Sequence, residues 1–196
     1  MSLLAALLLA AAQPPVIDLP VSPAPQGEGA RAQYQDPQAR LESRLERLAA
    51  ADDEQSAQAL AGEVRSLWRQ QAGPAADLLL QRAETALEAG DDATAERAYF
   101  HLRLLEPEYA EAWVASAELA ARRADWDFAL EALNIAVSLD ADRFDAWALL
   151  GRALETAEAR EAALEAYEEA LARHPFHPAA RAAAARLERE IAGRSL

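Results

Sequence analysis

The sequence has no cysteine, no lysine, few aromatic residues and few basic ones. Each shortage closes a route. Without cysteine there is no disulfide, no thiolate nucleophile, no zinc-thiolate site and no residue to carry an N-terminal lipid. All 19 basic residues are arginine, so Schiff-base chemistry and the lysine of a phosphate-binding loop are also missing. Only 6% of residues are aromatic although 52% are hydrophobic. The apolar content is therefore mostly Ala and Leu, which suits packed helices and not a β-sandwich. Set against 33 acidic residues, the 19 arginines leave a net charge of −14 over 196 residues. Such a chain repels a phosphate backbone and an anionic lipid surface, so no nucleic-acid partner is expected.

Long apolar runs are scarce as well. The exception, Leu3 to Ala12, is ten residues of Leu and Ala followed by Gln13 and Pro14. With small residues at Ala10 and Ala12 it reads as a secretory signal cleaved after Ala12, which places the mature protein in the periplasm or outside the cell. A membrane span needs roughly 20 apolar residues, so no permanent span is expected. Only the Met1 amino group supplies positive charge ahead of the run, and the alternative is an Ala/Leu-rich tail of a cytoplasmic protein. Residues 13–37 carry six prolines and two glycines, too broken for a helix, and read as a disordered linker.

From residue 38 onward the pattern is helical, and it repeats. Ala83, Ala117, Gly151 and Ala185 step by 34 three times, and Ala95, Ala129 and Ala163 step by 34 twice. Trp113 and Trp147 keep the interval, as do Tyr99, Leu133 and Tyr167; Pro107 and Pro175 are two intervals apart with Ala141 midway. Large, small and proline positions thus agree on one period. A 34-residue unit with a large residue early, small residues where two helices cross and Pro at the exit resembles the tetratricopeptide repeat. Three units follow: 76–109, 110–143 and 144–177. The last matches most fully, through Trp147, Leu150, Gly151, Leu154, Ala163, Tyr167, Ala170 and Pro175. In the first, Leu79 takes the Trp place and Gly90-Asp91-Asp92 marks the turn between helices.

The resemblance implies an all-α, right-handed superhelical solenoid of antiparallel hairpins, each of which needs a neighbour to cover its apolar faces. Residues 178–196 read as a C-terminal capping helix and tail, with Ala182, Ala183, Ala185, Leu187 and Ile191 on the covered side. Residues 38–75 hold a further helix pair, with Leu41, Leu45, Leu48, Leu60, Val64, Leu67 and Trp68 at helical spacing. Its phases do not fit the repeat, so it is expected to be a degenerate repeat or a divergent cap at the N-terminal end. An export signal followed by a short repeat array also resembles small periplasmic repeat proteins of Gram-negative bacteria.

Catalytic constellations are missing. There is no G-x-S-x-G, no Gly-rich phosphate loop and no H-E-x-x-H. His174 and His177 flank Pro175 with no third ligand nearby, and His101 belongs to another hairpin, so they are expected to be structural. The carboxylate pairs Asp52-Asp53, Asp91-Asp92 and Glu168-Glu169 fall at helix starts or on solvated faces. No cofactor and no metal are expected. Trp113, Trp126 and Trp147 occupy packing positions of the repeat, and Trp68 has no evident role.

By resemblance, the first helix of each hairpin lines a concave groove. That face holds Asp77, Gln81, Glu84 and Glu88 in the first unit, Glu111, Glu118 and Arg122 in the second, and Asp145, Leu149, Arg152 and Glu155 in the third. Arg186 and Arg189 of the cap join Arg152 to make the far end basic. Relatives that grip a carboxylate terminus use Lys and Asn at groove positions, and this chain has neither there. The expected function is a non-catalytic scaffold that binds a protein or peptide in this groove, with a basic segment as the expected ligand. The alternative is a self-associating structural module, a homo-oligomer.

Overall fold

A computed structural model describes residues 36–194, and the N-terminal Leu/Ala run and the proline-rich linker lie outside them. Among the described residues there are helices and no strands. They are α1 (Pro37–Ala49), α2 (Glu54–Arg69), α3 (Pro74–Glu88), α4 (Asp92–Leu105), α5 (Ala110–Arg122), α6 (Trp126–Leu139), α7 (Phe144–Thr156), α8 (Arg160–Arg173) and α9 (Pro178–Arg194). No helix among these residues is long and apolar enough to cross a membrane.

Three antiparallel hairpins, α3–α4, α5–α6 and α7–α8, stack in order, and α9 closes the stack against α8. The small residues explain the close crossings. Ala83, Ala117 and Gly151 are buried where the two helices of a hairpin meet, and a Cβ on Gly151 would lie 2.7 Å from the Tyr167 ring. Between hairpins the covered positions are Ala112, Ala146 and Ala180, each fully buried against the hairpin before it. Trp113 and Trp147 donate their indole N–H to the carbonyls of Pro107 (2.9 Å) and Ala141 (2.8 Å), tying each exit turn to the next helix. First helices meet one another (α5 with α7, α7 with α9) more closely than second helices do. The stack therefore curves, with first helices inside.

Two expectations need correction. Ala182 and Ala185 of α9 are exposed; the covered side is Ala180, Ala184 and Leu187. Position 185 continues the series 83, 117 and 151, but those residues pack on the second helix of their own hairpin, and among the described residues α9 has no such partner. The pair α1–α2 also differs from the expectation. It shares a core of Leu41, Leu48, Leu60, Val64 and Trp68, but α2 does not lie along α3 as one repeat lies along the next. Instead α1 packs against α8, and the core closes over Phe144 and Phe176 at the turns leading into α7 and α9.

The turn inside each hairpin needs one residue with left-handed backbone. These are Gly90 (φ 75°), Ala124 (φ 60°) and Glu158 (φ 61°), spaced by the repeat. Only the first is glycine. The Asp that precedes the second helix accepts a backbone N–H at Asp91 and Asp125, whereas Ala159 in the third hairpin cannot. A side chain in the left-handed region costs about 1–2 kcal/mol, partly offset by the greater unfolded-state entropy of glycine. Ala124→Gly and Glu158→Gly are each expected to stabilise the fold by up to ~1 kcal/mol, and Gly90→Ala to destabilise it; urea denaturation followed by circular dichroism checks the signs.

Candidate functional site

The concave side is lined by α5 and α7 and roofed in part by α2. One cleft of about 530 Å³ is bounded by Arg65, Ser66 and Arg69 of α2, Glu111 and Glu118 of α5, and Arg143 and Asp145 of α7. A second, of about 650 Å³, continues along Glu118, Arg122, Asp145, Leu149 and Arg152 to Tyr167, His177 and Ala179, with Arg65 on its rim. The structure thus brings together Glu111, Glu118, Arg122, Asp145, Leu149 and Arg152 of the expected groove. The others sit elsewhere or are engaged. Glu84 is ion-paired to Arg69, and Glu155 to Arg186, while Glu155 also accepts from the Tyr167 hydroxyl at 2.7 Å. Gln81 lines a hollow at the open end of the stack with Leu78, Leu79 and Arg82, and Asp77 and Glu88 are exposed on α3.

The centre of the site is Arg143, 1% exposed. Its Nε and Nη2 donate to the two carboxylate oxygens of Asp145 at 2.9 and 2.8 Å, and Nη2 lies 2.8 Å from Glu111. The guanidinium stacks 4.3 Å from the Trp68 ring centroid. Burial opposes its charge, but Asp145 and then Glu111 outweigh that and raise its pKa. Trp68, with no exposed surface, also meets Phe144 at 5.2 Å. Arg65 stands 5.8 Å over Phe144, and the Tyr109 hydroxyl donates to the carbonyls of Trp68 (3.3 Å) and Arg69 (2.9 Å). Neither Arg143 nor Trp68 was legible as a site residue. Arg143 takes the place that Tyr109 and His177 take in the neighbouring units, a position where the repeat itself asks for nothing in particular.

Crowding by the groove walls, then Asp145 and Glu111, raise the Glu118 carboxyl to about 7, although solvent still reaches its side chain. Burial raises Glu111 too, against the pull of Arg143. His174 packs 5.1 Å from Phe144, and burial followed by His177 and Arg65 lowers it to about 4. The Nδ1 of His177 accepts the Ala180 N–H at 3.2 Å, at the start of α9. These histidines fill the seam under α1–α2. Among the described residues no group of three or more His, Asp or Glu is placed to hold a metal ion. Asp53 and Asp91 accept backbone N–H groups at the starts of α2 and α4, and Glu169 pairs with Arg173.

No model of a protein family matches the chain, and no curated protein matches its sequence. Solved structures do resemble it. The first TPR of Spaghetti (RPAP3), bound to the HSP90 peptide SRMEEVD, aligns with a TM-score of 0.59 at 20% identity over 62% of this chain and 96% of that one. The Sgt2 TPR domain from Aspergillus fumigatus aligns at 0.57 and 21% identity over 65% and 86%. MamA aligns at 0.53 and 18% identity over 77% and 80%. The fold is therefore that of a tetratricopeptide-repeat solenoid.

Two outcomes follow from the charge arrangement. Arg143→Met leaves Glu111 and Asp145 without their buried cation, and breaking such a pair costs about 3–5 kcal/mol. The loss is expected to be larger at pH 8 than at pH 5, because burial raises the Glu111 carboxyl and, with Arg143 gone, it takes up a proton as pH falls; denaturant titrations at the two pH values read it. The second outcome concerns opposite signs of linkage. Glu118, raised in the fold, favours the folded state below the ordinary carboxylate range, and this contribution is lost as pH rises through about 7. His174, lowered in the fold, contributes above its ordinary range near 6.5, and this is lost as pH falls toward 4. From pH 8 to 5, Glu118→Gln should therefore remove a gain in melting temperature, and His174→Phe should remove a loss.

Proposed function

We propose that this protein is a non-catalytic interaction scaffold, which holds a basic segment of another protein in the concave cleft between α5, α7 and α9. The observation that carries this reading is the cleft itself: a continuous hollow of about 650 Å³ whose wall and floor include Glu118 and Asp145, with Leu149 for apolar contact. Rigid hairpins present these groups in place, so the receptor loses little freedom on binding. The fold supports the reading, since structures that share it include one bound to a peptide of HSP90. The cleft sets Glu118 and Asp145 beside Arg65, Arg122 and Arg152 and has no lysine. An amphipathic segment that brings a basic group to Glu118 fits this mixture. The Leu/Ala run at the N-terminus supports a periplasmic setting for the encounter.

A second reading, self-association, has one specific observation behind it. Leu78 is 66% exposed at the open end of α3, at the position where Ala112, Ala146 and Ala180 are buried by a preceding hairpin. A mass that rises with concentration in light scattering would favour that reading over binding to a different protein.

The test is partner capture by the full chain from envelope and cytoplasmic fractions separately, over a salt series, beside Glu118→Arg. Glu111 is spared because it holds Arg143. Capture from the envelope fraction that weakens with salt and falls at least tenfold in the variant is the expected result. Capture unchanged by the reversal would overturn the cleft as the binding surface.

A further inference from the structure

Among the described residues, α2 is what covers the acidic end of the concave side, and the way it does so describes a ligand. Arg65, Trp68 and Arg69 stand at i, i+3 and i+4, on one face of the helix. Trp68 enters the slot between Arg143 and Phe144, Arg69 pairs with Glu84, and Arg65 leans over Phe144 toward Glu118. The Tyr109 hydroxyl donates to the carbonyls of Trp68 and Arg69 in the last turn of α2; the Trp68 carbonyl also accepts the Gln71 N–H of the turn that follows. Slot, carboxylates and hydroxyl all belong to the repeat hairpins. None depends on the helix being part of the same chain.

The internal helix also fits imperfectly. Glu118 has no ion pair among the described residues, and its carboxyl is crowded by Glu111 and Asp145. Arg65 reaches the same cleft without bonding to it. The Arg69–Glu84 pair is half exposed, so it adds little holding strength. Four residues, Gln70 to Gly73, join α2 to α3, and α2 does not stack along α3. The helix pair is held by Trp68 in its slot, by α1 against α8, by its core closing on Phe144 and Phe176 and by a few polar contacts, and it lies over a surface with charge left unmatched.

Resting on the scaffold reading above, we infer that α2 stands in for the external ligand: the partner is an amphipathic helix that ends in a bulky aromatic flanked by two arginines, and it binds by displacing α1–α2. A helix with a basic side chain that reaches Glu118 gains an ion pair that α2 leaves unmade. The inference fixes both the shape of the partner, a helix C-terminus, and its chemistry.

The probe is a fluorescent peptide with the sequence of residues 54–72, titrated by anisotropy onto the full chain, its Arg69→Gln variant and its Trp68→Ala variant. Both variants are checked for unchanged helix content by circular dichroism, and the milder Arg69→Gln stands alone should Trp68→Ala unfold. The expected result is weak binding to the parent chain, up to a few-fold tighter binding to Arg69→Gln, whose exposed pair holds little, and about tenfold tighter binding to Trp68→Ala. The gain should disappear when Glu84→Arg and Glu118→Arg are added. Equal affinity for parent and variants, or no binding to a folded variant, overturns the inference. If the parent chain nevertheless captures partners in a manner sensitive to Glu118→Arg, the scaffold reading stands without it. A mass that doubles in the variants with no peptide bound would show exchange of α1–α2 between copies, and the partner would then be a second copy, which also overturns the inference.

Discussion

The buried guanidinium of Arg143 is the constraint on which the concave side depends. It is nearly inaccessible to water, so its charge must be met in place, and Asp145 and Glu111 meet it from two successive hairpins. An arrangement of this kind is poor evidence for net stability, because removing both charges from water costs about as much as their attraction returns. Its value lies in position. The ion pair fixes α5 against α7 at the start of both helices, and the flat face of the guanidinium becomes one wall of the slot for Trp68. Packing at the stack interface, the seating of the N-terminal pair and the charge of the cleft are consequences of the same contact.

The second consequence is electrostatic. Arg143 uses Asp145 fully and Glu111 in part, which leaves Glu118 the carboxylate two turns of α5 further along, with no ion pair of its own among the described residues. Three carboxylates facing one curve repel one another unless a cation arrives. The protein holds that repulsion because the hairpins are rigid. Two basic groups of α2, Arg65 and Arg69, lie toward that charge, Arg69 paired with Glu84 and Arg65 on the rim of the cleft that holds Glu118.

The repeat was readable in the sequence because it is imposed by volume. Where two helices cross, only Ala or Gly fits, so Ala83, Ala117 and Gly151 recur at fixed spacing, and the Trp places recur because their indoles must reach the exit turn. Residue types under such pressure leave a period that one sequence suffices to show. The left-handed turn position was readable only at Gly90, since Ala124 and Glu158 take the same backbone without the residue that advertises it. The covered face of α9 was misread for a related reason: in a helix of Ala nearly every face is apolar, and the series that ends at Ala185 describes contact with a second helix, which α9 lacks among the described residues.

The seating of α1–α2 was not legible, because it depends on contacts that belong to no period. Trp68, Arg143 and Phe144 come from distant parts of the chain, and each alone has an ordinary local explanation. The mismatch in phase between residues 38–75 and the repeats was nevertheless a physical signal. A helix pair that keeps the interval has its apolar faces placed to stack on the next hairpin. One that departs from it must bury those faces elsewhere, and on an open solenoid the apolar surfaces still uncovered are the two ends and the inner edge. Trp68 is too large for a stacking position where Ala112 and Ala146 are fully buried, which argues against the end of the stack. The inner edge remains, where Phe144 and Phe176 would otherwise meet water. An aromatic residue out of phase with its repeat thus points to the concave side, and the charges next to it in sequence, Arg65 and Arg69, state what that side attracts.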